Sequence, residues 1–148
     1  MYLHNNSTHF LLKVEGYEYE NALEEDDANW LTVSIIAGDA SNSSWRARNS
    51  CLRTFELVNL REWIQSILKF PLESTSIAFT ENELSFSYDN NTLTVVLDFA
   101  FHPKKENYDY DVDEEYYLKF KTDKNILLKM LNYLNEIIQK YPVKTIKR

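Results

Sequence analysis

Acidic side chains supply the most conspicuous chemistry in this sequence. In "YDYDVDEE", Asp109, Asp111 and Asp113 alternate, the spacing that opens a calcium-binding loop. Such a loop needs glycine at its sixth position to turn and a bidentate glutamate at its twelfth to complete the oxygen shell. Those positions hold Glu114 and Phe120, so the calcium reading fails. In "EEDDANWL", Glu24, Glu25, Asp26 and Asp27 run together. Carboxylates act as an acid/base pair when held at a set separation in a pocket that drives their pKa values apart. Four consecutive acids in a polar connection repel one another and favour water. His4, His9 and His102 are too scattered for a metal-binding pair or a Cys/His cluster. With Gly16 and Gly38 the only glycines, there is no phosphate loop and no Gly-x-Ser-x-Gly elbow. Cys51 is alone, cannot form an internal disulfide, and is expected as a small buried residue. No catalytic set, metal site or cofactor is expected.

The elements that must position these acids are readable from periodicity. In "HFLLKVEGYEY", Phe10, Leu12 and Val14 alternate with Leu11, Lys13 and Glu15, the period of two that marks a strand. "NWLTVSIIA" repeats the pattern, with Leu31, Val33 and Ile35 on its apolar face. After the turn-forming run Gly38 to Ser44, "SWRARNSCLRTF" is expected to return antiparallel. Leu57, Leu60, Trp63, Ile64, Ile67 and Leu68 then recur at three- and four-residue steps, an amphipathic helix with Thr54 as its expected cap and Pro71 beyond its end. "SIAFT", "ELSFSYD" and "TLTVVLDFAF" follow as strands, joined by hairpins at "EN" and "NN". A long acidic loop from His102 to Asp113 leads to the strand "EEYYLKFK". Asp123 is expected to cap a closing helix with Ile126, Leu127, Met130, Leu131, Leu134, Ile137 and Ile138 on its apolar face. The expected class is α+β, an antiparallel sheet of about six to seven strands carrying two amphipathic helices in a single domain over residues 1–148.

Bulk properties narrow the function. The chain has 148 residues, 44% of them hydrophobic and 14% aromatic, which suits a packed core and argues against disorder. Its formal charge of -7 repels nucleic acid and anionic membranes and favours encounter with basic proteins. No basic segment leads into an apolar run at the N-terminus, and no uninterrupted apolar stretch is long enough to span a bilayer. The expectation is a cytoplasmic protein without nucleic-acid or membrane partners. Trp30, Trp45 and Trp63 are expected in the core.

Several motifs carry a resemblance to a known family. The Gly16 to Tyr19 segment followed by Asp27-x-Asn29-Trp30-Leu31 resembles the WapI-type immunity proteins of bacterial polymorphic, contact-dependent toxin systems. The pattern Glu56-Leu57-x-x-Leu60-x-x-Trp63-Ile64, the "FTENELSF" hairpin and the closing helix ending at Tyr141-Pro142 extend it over most of the chain. The resemblance implies a non-enzymatic protein that binds the C-terminal domain of a cognate toxin and blocks it. In the type system that toxin is a nuclease acting on tRNA. It also implies a gene directly downstream of a large toxin gene.

A nuclease presents a basic surface to its substrate, so an acidic inhibitor complements it. The expected partner-binding residues are therefore Glu24, Glu25 and Asp26 in one loop, and Tyr108, Asp109, Tyr110, Asp111, Asp113, Glu114 and Glu115 in the other. Tyrosine interleaved with aspartate combines anchor area with charge. The competing reading of the second loop is a solvated connector with Tyr110 packed on its own sheet. Asp27 and Asn29 are expected to fix the turn into the strand through short side-chain bonds. Two alternatives stay open: a small carboxylate-based hydrolase, and an interaction module unrelated to toxins.

Overall fold

Eight strands and three helices make up the fold in the computed structural model, which describes residues 1–146. In chain order they are β1 (Tyr2–Asn5), β2 (Thr8–Tyr17), a single-turn α1 (Glu25–Ala28), β3 (Trp30–Gly38) and β4 (Trp45–Arg53). Next come α2 (Thr54–Lys69), β5 (Thr75–Ala78), β6 (Leu84–Asp89), β7 (Thr92–Leu97), β8 (Tyr116–Lys121) and α3 (Lys124–Lys140). The class is α+β, as expected, but the strands divide into two antiparallel sheets of four, β1-β2-β3-β4 and β5-β6-β7-β8. Inserting α2 between β4 and β5 breaks the ladder, so each of those strands becomes an edge.

The first strand of the chain is an addition to the expected set. Asn6 adopts the left-handed region (φ 54°), and β1 folds back on β2 with Asn5 opposite Thr8. Asparagine is among the few side chains that enter this region readily. Asn90 and Asn91 do the same between β6 and β7 (φ 48° and 61°), the two-residue hairpin expected at "NN".

The other expected tight hairpin, at "EN", is instead a five-residue connection, because β5 stops at Ala78. Phe79 turns into the core, and the Thr80 N–H donates to Glu56 Oε2 (2.9 Å). That bond spends the donor a longer β5 would need. Thr54 is likewise the first residue of α2 and not its cap. The Arg53 N–H before it donates to Glu56 Oε1 (3.2 Å), while the Thr54 hydroxyl donates to Asn29 Oδ1 (2.6 Å). Asp123 does cap α3, accepting from the Ile126 N–H (2.9 Å).

One apolar cluster joins both sheets and both long helices. Leu31, Val33, Ile35 and Ala37 of β3 face it, and Thr32, Ser34 and Ile36 face outward, the alternation read from the sequence. Phe10 of the first sheet meets Phe86 of the second edge-on at 6.4 Å, and Trp63 of α2 lies 6.3 Å from Phe86. Leu57, Leu60, Ile64 and Ile67 of α2 are fully buried, as are Leu127, Met130 and Leu134 of α3 or nearly so. Each such side chain contributes about 1.5–3 kcal/mol by leaving water. Trp45 and Trp63 are core residues as expected. Trp30 is half-buried instead, because it lies on the outward face of β3 with Thr32, Ser34 and Ile36, where the Arg53 guanidinium covers its ring at 5.1 Å. Among the described residues, no helix is long and apolar enough to cross a membrane.

Candidate functional site

The segment between β7 and β8 is built around three carboxylates that bind their own loop. Asp98 follows β7 and caps a 3₁₀ turn (Phe99–Phe101), accepting from the Phe99 N–H at 2.9 Å. The same Asp98 oxygen accepts from the Tyr108 hydroxyl at 2.7 Å, and that bond pushes the Tyr108 pKa up to about 12. Asp113 accepts from the Asp109 N–H (2.7 Å) and ion-pairs with Lys104. The Lys104 bond, then the Asp109 amide, hold the Asp113 carboxyl below the usual carboxylate range. Asp109 in turn accepts from the Asp111 N–H (2.9 Å), the short-range turn that aspartate makes readily.

These bonds sort the residues expected from the sequence. Asp113 and Tyr108 are turned inward as loop staples. Asp109, Asp111, Glu114 and Glu115 remain exposed, Glu115 accepting from the Tyr117 hydroxyl at 3.0 Å. Tyr110 is 76% exposed and Val112 72%, so Tyr110 does not pack down onto its own sheet. One face of Tyr110 stacks on Phe99 (5.8 Å, 25° between planes), and Tyr108 meets it edge-on at 5.0 Å. The 3₁₀ turn that brings Phe99 here holds that residue at φ 48°, an uncommon conformation for a bulky side chain.

The other acidic segment is the start of α1. Glu24, Glu25 and Asp26 are exposed, and Asp26 is paired with Arg53 at 2.6 Å. Arg53 is a hub. Its guanidinium lies over Trp30 and Phe55 (5.1 and 4.6 Å), contacts Glu56 at 3.5 Å and donates to the Thr80 hydroxyl. Asp26 thus approaches the protein already neutralised in part, whereas Glu25 projects freely into solvent beside Leu23, which is 85% exposed.

Asn29 fixes the turn, as expected, but it does so by long-range bonds. Its Nδ2 donates to the carbonyls of Glu25 (2.7 Å) and Lys144 (3.0 Å), and its Oδ1 accepts from the Lys144 N–H (2.8 Å) and Thr54 hydroxyl. Asp27 shares no such role. Its carboxylate is exposed and makes no hydrogen bond among the described residues.

Both acidic segments border β4. Asp26 meets it at Arg53, and Tyr108 and Tyr110 flank a pocket beside Asn49. Four residue steps along the strand, from Asn49 to Arg53, separate those points by roughly 13 Å. Between them the turn after β5 adds Glu81, exposed, and Glu83, whose Oε1 accepts from Asn49 Nδ2 at 3.1 Å. Burial, with Glu81 and Asp98 nearby, raises the Glu83 pKa. Neither glutamate was expected at the site from sequence, although both sit in the "FTENELSF" hairpin; nothing local indicates that this turn lies against β4. Cys51, on the same strand, is buried, and desolvation pushes its thiol up, which removes it as a nucleophile. Among the described residues, no group of three His, Cys, Asp or Glu side chains is placed to hold a metal ion.

Residues 1–142 match the model of a protein family described as the immunity protein WapI-like family. No curated protein and no solved structure matches the chain.

Proposed function

This chain belongs to the immunity protein WapI-like family, and on that premise we propose that it binds a cognate toxin domain and blocks it through the acidic surface along β4. The observation that carries this reading is the β7–β8 loop. It is held by its own hydrogen bonds, so Asp109, Asp111, Glu114 and Glu115 are presented with the exposed Tyr110 and Val112 on a fixed frame. A preordered loop loses little conformational entropy on binding. Exposed tyrosine supplies the apolar anchor that rim charges lack, and the carboxylates raise the association rate toward a basic partner.

Both acidic segments, with Glu81 between them, fit within one interface of ordinary size, about 800 Å² per partner. A toxin domain that acts on RNA carries the basic surface such a face complements, so the proposed target is a nuclease. Co-expression tests this. Cells making the toxin domain encoded next to this gene should grow when the protein is supplied, and lose protection when Asp109, Asp111, Glu114 and Glu115 are changed together to Asn and Gln. Full protection by that variant, at equal protein level, would remove the loop from the interface.

A further inference from the structure

On the toxin-binding reading above, we propose that the pocket beside β4 is a socket for one arginine side chain of the toxin. The pocket has a volume of about 370 Å³ and is lined by Asn49, Glu83, Phe99, Tyr108 and Tyr110, with Lys105 on its exposed rim. Tyr110 stacks by one face on Phe99 (25°) and is 76% exposed, which leaves flat π surface against which a planar guanidinium can lie parallel.

Glu83 supplies the charge. Its Oε1 is bonded to Asn49, but its Oε2 has neither a hydrogen-bond donor nor solvent, a costly arrangement for a carboxylate. Burial and the neighbouring acids Glu81 and Asp98 already disfavour that negative charge, and an arriving cation relieves the cost. Elsewhere the molecule uses the same chemistry internally. Arg53 lies over the rings of Trp30 and Phe55 with its guanidinium bonded to Asp26. The β4 pocket repeats those parts, ring faces and a carboxylate, with no arginine from this chain among its lining residues.

A titration with Nα-acetyl-arginine amide, followed by NMR, tests the socket without any toxin. Saturable shifts at Asn49, Glu83, Phe99 and Tyr110 are expected, with a Kd on the order of millimolar. Nα-acetyl-citrulline amide, similar in shape and uncharged, should leave those signals in place. Glu83→Gln keeps the Asn49 bond, and Tyr110→Ala changes an exposed side chain, so both variants should fold normally and lose the arginine response. An equal response to citrulline, or an arginine response that survives both changes, would overturn the socket.

The two variants are then compared in binding to the toxin domain, where each should weaken affinity about tenfold or more. Unchanged toxin affinity in both would overturn the socket's use while leaving the toxin-binding reading intact. A toxin domain that does not bind the unaltered protein, alongside a normal arginine titration, would instead overturn the toxin reading and leave the socket standing.

Discussion

Asn29 gathers four hydrogen bonds from three parts of the chain: α1, the first residue of α2, and the segment after α3. Its side chain is buried, so Asn29→Ala leaves donors and acceptors unpaired, and about 2–3 kcal/mol of stability should be lost. Urea unfolding measures this. Asp27→Ala, two residues away and exposed, should stay within about 0.5 kcal/mol of the unaltered protein. Cys51 should resist a thiol reagent such as Ellman's in the folded protein and react fully on unfolding, because it is buried and its thiol is held protonated. At this scale the sequence is informative where a residue's own chemistry decides. Cys51 was expected to be buried and Asn29 to be a turn-fixing residue. The partners of Asn29, and the orphaned oxygen of Glu83, depend on segments far apart in the chain, and no local pattern encodes them.

The β7–β8 connection behaves as an element although it has little regular structure. Lys104 and Asp113 clamp its base, and Tyr108 bonds to Asp98 across it. Because the Asp113 carboxyl titrates below its ordinary range, its contribution to loop order is complete above that range and is lost as pH falls through the lowered folded value. NMR amide shifts of Asp109 and Asp113, followed from neutral pH downward, should therefore show their inflection below the normal aspartate range. Asp113→Asn should abolish that inflection. An inflection at the ordinary aspartate value would show that the clamp does not form. Strands and helices with strong periodicity, β2, β3, α2 and α3, were legible in the sequence. Where β5 ends was not, because Glu56 takes the Thr80 N–H. The same holds for Thr54, which looked like a cap and instead serves Asn29.

Over the whole molecule, a net charge of -7 conceals an uneven distribution. The outward face of the first sheet carries Lys13, Arg46 and Arg48 around Leu11 and Ile36, while the acids border the far edge of β4 and the β7–β8 loop. The proposed basic partner would be steered to the second region, which composition alone does not locate. The division into two sheets was also hidden from the sequence. Strand count and antiparallel turns fit one sheet equally well, and only the position of α2 in space makes β4 an edge.

The central claim, that the β7–β8 acids carry toxin binding, is tested most directly by the affinity of the purified protein for its toxin domain as salt is raised. The unaltered protein should bind tightly at low ionic strength and lose affinity steadily as salt increases. The variant with Asp109, Asp111, Glu114 and Glu115 neutralised should bind at least about tenfold more weakly at low salt and show a flatter salt dependence. Identical affinities and identical salt slopes for the two proteins would contradict the account.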